Sequence, residues 1–241
     1  MTQPPMDAQV RFWTEWVEDS APRENNPGNE RRGKYVLEAV RSVARPNMRI
    51  LDIGCGTGWL SLQLAEFGTV TALDLPSKTI DRLKTTQPEI TWISGDFLTT
   101  ALPQGFDVVV SVETIAHVPD QEKFVRKIAA LLVPGGTVVL TTQNPPIWNR
   151  TRALRPPGPG QIRNWPSRAR LQELFTPYFD LQPLRTCAPN GDRGPLRLLH
   201  NRISRAVGTR LFGRERWIRW RERAGLGCSL VLVGTLAHPV E

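Results

Sequence analysis

A chain of 241 residues, 40% of them hydrophobic, is long enough for one well-filled α/β core, and neither global disorder nor a small disulfide-stapled fold suits that composition. The formal net charge of +8 is carried mostly by arginine, which pairs bidentately with carboxylates and phosphates; an anionic substrate, a nucleic acid and an acidic membrane face stay open as partners, as does a plain genomic bias toward arginine codons. Cys55, Cys187 and Cys228 form no C-x-x-C pair and predict reduced thiols of a cytoplasmic protein without a zinc site, while the absence of an apolar signal core in residues 1–10 and of any run near the ~20 apolar residues of a membrane span leaves at most peripheral attachment to the inner membrane face.

Residues 8–19 read as a short helix carrying Phe12, Trp13 and Trp16. A polar loop over 20–28 and a helix over 29–45, closed by Pro46, complete a helical cap of residues 1–45. From Arg49 onward, apolar strands over 49–53, 69–75, 90–94, 106–112 and 136–142 alternate with helices over 59–68, 77–86 and 120–132, the first of these ending at Gly68. Continuous apolar strands separated by helices predict a parallel sheet covered on both faces, with right-handed crossovers, in residues 46–145. Residues 143–166 are rich in Pro, Gly and Arg and read as a long loop, of the kind that carries function or moves. Within 146–188 a helix over 167–175 and a strand over 180–186 follow. A basic insertion spans 189–226, and its stretch 193–223 holds ten arginines among leucines and tryptophans. There Leu199, Ile203, Val207 and Leu211 recur every four residues and share one helical face, and Gly208 and Gly213 divide the stretch into two helices. A last strand lies in 227–241, and the whole reads as one domain.

The run Leu51-Asp52-Ile53-Gly54-Cys55-Gly56-Thr57-Gly58 follows a strand and opens a helix. Small residues let backbone approach a ligand closely, and a helix N-terminus favours negative charge. Asp74 ends the next strand, 20 residues after Gly54, where a carboxylate reaches ribose hydroxyls. The third glycine comes one residue too early for the dinucleotide fingerprint G-x-G-x-x-G, which argues against a nicotinamide cofactor.

D-x-G-C-G-T-G resembles the first motif of class I S-adenosylmethionine-dependent methyltransferases. ALDL with Asp74, SGDF with Asp96, FDVVVSVETIAHV and LLVPGGTVVLTT follow in that family's order. Within the class, N-x-x-R-x-x-Y (Asn29 to Tyr35) and E-x-x-A-H-V-P-D (Glu113 to Asp120) are similar to the O-methyltransferases of ubiquinone synthesis. The resemblance implies a Rossmann-like α/β fold: a mostly parallel seven-stranded sheet with an antiparallel last hairpin strand, plus N-terminal helices and, here, the basic helical insertion. It implies S-adenosyl-L-methionine as cofactor, with Arg32 at the methionine carboxylate, Gly54, Gly56 and Gly58 around the methionine part, and Asp52, Cys55 and Leu75 among the cofactor-binding residues. Asp74 would meet the ribose hydroxyls, Asp96 and Phe97 the adenine, and Val112 the region of the reacting centre. In the resembled enzymes the stretch from Glu113 reads E-x-x-E-H and is associated with a divalent metal; Ala116 stands in the middle position here, and no metal ligand is assigned.

Methyl transfer to a hydroxyl benefits from a base, and His117, at the carboxyl end of the fourth strand, is the candidate, with Glu113 orienting it. Trp13, Trp16 and Trp148 are candidate acceptor-pocket walls for a small-molecule or lipid-linked substrate, and the amphipathic basic segment suits either a lid or peripheral contact with an anionic membrane. RNA methylation is a second reading, motivated by Trp217 and Trp220 among arginines, against which SVET stands where base-methylating enzymes carry N/D-P-P-Y/F. A non-catalytic cofactor-binding partner subunit is a third.

Overall fold

The computed structural model describes residues 3–20 and 27–237; most of the polar loop expected over 20–28 lies outside them. Two helices, α1 (Met6–Ser20) and α2 (Pro27–Ser42), precede β1 (Met48–Ile53), α3 (Trp59–Leu64), β2 (Gly68–Asp74), α4 (Lys78–Thr86), β3 (Thr91–Ser94), β4 (Phe106–Val112), α5 (Gln121–Leu131) and β5 (Leu132–Gln143). Next come α6 (Pro145–Trp148), α7 (Arg168–Phe175), β6 (Phe179–Leu181), β7 (Arg185–Pro189), α8 (Leu196–His200), α9 (Arg202–Phe212), α10 (Arg214–Arg223) and β8 (Gly227–Leu236).

The strand order is β3-β2-β1-β4-β5-β8, and β6 and β7 lie end to end along the outer edge of β8. The eight strands therefore fill seven positions, parallel from β3 through β5 and antiparallel at β8. Alternation along each strand feeds two cores. Leu51 and Ile53 of β1 and Val109 of β4 point to the face covered by α5 and α7, while Met48, Ile50, Val108 and Val110 point to the face covered by α2, α3 and α4.

Three local expectations change. The helix after the glycine turn is only six residues, and Gly68 opens β2 instead of closing that helix, because a Cβ there would lie 2.1 Å from the Met48 carbonyl oxygen of the neighbouring strand. The strand expected over 180–186 breaks at Gln182 to Leu184 into β6 and β7. Gly208 does not divide the basic segment; it sits inside α9, where a Cβ would lie 2.4 Å from the Trp217 indole, so its smallness lets α10 pack against α9. Leu199 belongs to α8, and Ile203, Val207 and Leu211 are 74%, 50% and 69% exposed, so the shared apolar face points to solvent. Among the described residues, no helix is long and apolar enough to cross a membrane.

The Pro/Gly-rich loop is pinned at several points. Asn164 N–H donates to the Ala116 carbonyl at 2.8 Å, and Gln121 Nε2 donates to the carbonyls of Ile115 at 3.0 Å and Asn164 at 2.7 Å. At the other end of the sheet, α10 is fastened to α2 by a buried network. Arg31 forks onto Glu222 at 2.8 and 2.6 Å and reaches Glu215 at 2.7 Å; Tyr35 hydroxyl donates to Glu222 at 2.8 Å. Glu222 also accepts from the Ala188 N–H of β7 at 3.2 Å, and its side chain is 2% exposed. Hydrogen bonding to Arg31 holds Glu215 down at about 2.

Removing one partner of a buried pair leaves an uncompensated charge, which costs about 3–5 kcal/mol. Glu222→Ala is therefore expected to lower the unfolding free energy by about 3–5 kcal/mol and the denaturant midpoint with it, while Tyr35→Phe costs less because it removes one hydrogen bond worth about 1.5–3 kcal/mol. Equal, negligible shifts for both variants in a urea titration would refute this anchoring.

Candidate functional site

The site is assembled at the carboxyl ends of β1, β2 and β4, where open parallel sheets collect ligands. Parallel pairing sets Ile53 beside Leu73 on one side and Ser111 on the other, so the turns after these strands converge. After β1 the chain bends through Gly54 and Gly56 at φ of 75° and 56°, the left-handed region that disfavours side chains. Gly54 N–H donates to the Leu73 carbonyl at 2.8 Å, and a Cβ on Gly54 would collide with Thr114 Oγ1 at 2.1 Å. Gly56 differs: nothing lies within 4 Å of where its Cβ would be, so this part of the turn presents bare backbone to open space.

Asp74 holds that turn. Its Oδ2 accepts from Gly56 N–H at 2.6 Å and its Oδ1 from Leu75 N–H at 2.7 Å. Burial raises its pKa, opposed by these two hydrogen bonds. Asp52, 2% exposed, accepts from Ser61 Oγ at 2.6 Å, and burial foremost lifts it to about 7, with the nearby Asp74 charge adding to the rise. Cys55 is buried, and desolvation raises its thiol, so it is a packing residue of the turn and no nucleophile.

Asp96 follows β3 and accepts from Leu98 N–H at 3.0 Å, a turn-forming bond that leaves the side chain partly exposed. Phe97 departs from expectation: its ring is 5% exposed, packed edge-on against Phe124 at 5.0 Å in the core, with the Lys127 ammonium over it, so its face is used for packing. Val112, at the end of β4, is half-buried.

Arg32 reaches into the site from α2. One guanidinium nitrogen bonds Asn29 Oδ1, another lies 3.4 Å from Ser229 Oγ, and Nε sits 4.0 Å from Glu113 Oε1 as a buried donor without a hydrogen-bond partner. Glu113 occupies a φ of 60°, rare for a side-chain-bearing residue and frequent at functional sites. Its N–H bonds the Thr141 carbonyl at 2.9 Å, and Thr141 Oγ1 donates to its carboxylate at 3.1 Å.

His117 lies elsewhere. Its ring is covered by Trp13 at 4.5 Å, and Nδ1 is 2.7 Å from the Ile162 carbonyl of the pinned loop. A carbonyl can only accept, so Nδ1 carries the proton and Nε2 keeps the lone pair. Burial pulls the imidazole down to about 4. No hydrogen bond joins Glu113 to His117, so the expected pairing of the two is not formed. Trp13 belongs to a cluster with Phe12 and Trp16, and Trp16 is 51% exposed.

Trp148 alone of the three tryptophans joins the basic segment in an acceptor-sized space. An open cavity of about 1350 Å³ is lined by Arg32, Trp148, Cys228 and the inner faces of α9 and α10, including Arg205, Trp217 and Arg221. Ser229, Thr141 and Thr114, which frame Arg32, Glu113 and the glycine turn, carried no sequence signal strong enough to single them out; Ser229 is 197 residues from Arg32.

Residues 11–187 match the family model described as a methyltransferase domain. The ubiquinone biosynthesis O-methyltransferase of Xanthomonas campestris pv. campestris (strain B100) is 37% identical over 136 residues, covering 54% of this chain and 56% of that protein. Its counterpart from Caulobacter sp. (strain K31) is 33% identical over 165 residues, 65% of each chain. The chain thus spans less than two thirds of the length of either curated relative. Among solved structures, the N-methyltransferase NodS of Bradyrhizobium japonicum WM9 in complex with S-adenosyl-L-homocysteine superposes with a TM-score of 0.66 at 16% identity, covering 96% of this chain and 100% of that one. The glycine turn clasped by Asp74 and the strand order built around it agree with these matches: the chain belongs to the S-adenosylmethionine-dependent methyltransferase family, with the class I fold.

Proposed function

We propose that this protein transfers a methyl group from S-adenosylmethionine to a hydroxyl of a small-molecule or lipid-linked acceptor. The carrying observation is the Asp74 carboxylate, partly buried, tied by Gly56 and Leu75 and still offering lone pairs beside a turn whose Gly56 face is open. The residues fit the cofactor. Asp74 suits vicinal ribose hydroxyls, the bare Gly54 to Gly58 backbone admits the methionine part, and the unpartnered Nε of Arg32 is a donor for its carboxylate. When bound, the cofactor supplies an electrophilic methyl on a sulfonium.

The chain's own work is then to align the acceptor and take its proton. Glu113 is the better placed group for the proton, because it borders Arg32, which lines the large cavity, whereas His117 is closed in by Trp13 and the Ile162 carbonyl. We assign His117 to holding α1 and the loop against the sheet. The hydroxyl acceptor rests on the likeness to the ubiquinone-synthesis enzymes, which is limited to part of their length.

Titration calorimetry with S-adenosylhomocysteine tests the reading directly: wild-type protein binds, and Asp74→Ala binds at least about 100-fold more weakly, the scale set by losing hydrogen bonds to a charged group. Well-folded wild-type protein with no affinity would end the proposal. Once an acceptor is found, Glu113→Gln should lower kcat about 100-fold with cofactor affinity retained. His117 makes a pH prediction. Its folded value near 4 lies below the unfolded value near 6.5, so the unfolded chain binds more protons in that window. Stability from this group is complete above pH 6.5 and falls as pH drops toward 4, by up to about 3 kcal/mol. Thermal melts of wild type and His117→Gln across pH 4–7 should show a shallower acid loss in the variant; parallel curves would refute the assignment.

A further inference from the structure

The charged side chains that line the cavity beside Arg32 are all cationic. Arg202, Arg205, Arg210, Arg214 and Arg221 line it, with no acidic side chain among its lining residues. The two carboxylates of the neighbouring helices are engaged elsewhere: Glu222 is held by Arg31 and Tyr35, and Glu215 by Arg31, Lys34 and Arg219. Among the described residues, none of the five lining arginines of α9 and α10 pairs with a carboxylate.

Arg221 is the telling residue. It is only 6% exposed, its Nε has no partner, its guanidinium lies over the Trp217 ring at 5.5 Å, and its side chain donates from Nη1 to His200 Nδ1 at 3.2 Å. Since a guanidinium only donates, His200 Nδ1 accepts and its Nε2 carries the proton; that N–H is also buried and unpartnered. With Arg32 Nε, Trp148 Nε1 and Trp217 Nε1, five buried donors without acceptors stand on residues that line this space. Burial foremost, and then the charge of Arg205, disfavour the Arg221 cation, opposed in part by the charge of Glu222. A buried cation and several buried N–H groups lacking acceptors are costly, and a ligand rich in anionic oxygens is the chemistry that offsets such a cost.

We propose that this cavity is the acceptor site and that the acceptor carries a phosphate or diphosphate group, held by Arg221, His200, Arg205 and Arg210, with Trp148 and Trp217 flanking its organic part. The inference rests on the methyl-transfer reading above and narrows its substrate class to phosphate esters. A soluble phosphorylated metabolite and a lipid-linked phosphate share this chemistry.

Inorganic pyrophosphate is the probe. Calorimetric titration into the full-length protein should show saturable binding near one per chain, at least tenfold weaker in Arg205→Gln/Arg210→Gln, whose parent residues are exposed and unpaired. Arg221→Lys, which keeps the charge and loses Nε, should weaken it as well. S-adenosylhomocysteine titrated into the same preparations should bind each within twofold of wild type; loss of that binding in wild type defeats the methyltransferase reading, whereas its retention without pyrophosphate binding defeats only this inference. Competition by geranyl diphosphate in solution identifies the soluble source, and competition by phosphatidylglycerol vesicles alone the lipid source, each supporting the phosphate site. Pyrophosphate binding that is absent or unchanged in the variants overturns it. So does a single-stranded RNA oligonucleotide that binds more tightly than pyrophosphate and loses affinity in the same variants.

Discussion

Much of the molecule's chemistry follows from where Arg31 places its charge. It engages both acidic side chains of the arginine-rich stretch, the buried Glu222 and the more exposed Glu215. A buried pair of this kind repays its desolvation only when every remaining lone pair is satisfied, and here Tyr35 and the Ala188 N–H supply the missing donors. The result is mechanical and electrostatic together. Helix α10 is locked to α2 and β7, and Arg202, Arg205, Arg210, Arg214 and Arg221 line the cavity without an ion-pair partner among the described residues. A segment that reads as surplus positive charge in the sequence becomes, through one arginine on another helix, a directed one.

The opposite polarity governs the neighbouring turn. Asp52 is buried and Asp74 partly so, and the Asp74 charge adds to the rise of Asp52. The backbone N–H groups of Gly56 and Leu75 and the hydroxyl of Ser61 offset part of that cost. A cationic ligand offsets more. A sulfonium cofactor and a phosphorylated acceptor would thus meet across Arg32 and Glu113, between a negative turn and a positive cavity. Charge separation of this kind discourages either ligand from occupying the other's place.

Most of the sheet was legible because each parallel strand is a short apolar run bounded by a helix of different period, and the glycine turn because its residues need backbone conformations that few others tolerate. What escaped the sequence was long-range. Splitting of the outer edge into β6 and β7 depends on pairing with β8, which comes some fifty residues later in the chain. Gly208 has the spacing of a helix break, yet its neighbour in space is Trp217, which no local rule reveals. His117 and Glu113 sit four residues apart in a motif and look like partners, but the turn Ile115–His117 rotates them apart: one faces Trp13, the other Arg32. Phe97 follows an acidic residue in the expected place, and its ring is drawn into the core by Phe124. In each case a tertiary contact outweighed a correct local pattern.

Topology explains why the basic helices lie beside the site at all. Strand β8 is antiparallel both to β5 and to β7, so β7 runs in the same sense as the parallel strands. Any chain leaving β7 must therefore emerge at the carboxyl edge, the edge where the turns after β1, β2 and β4 converge, and must return from that edge to begin β8. An insertion anywhere in a βα-unit's helix-to-strand return would surface on the far side. Helices α8, α9 and α10 occupy the connection from β7 to β8, as α6 with Trp148 occupies the one after β5, which is how segments outside the cofactor-binding core come to line the cavity beside Arg32.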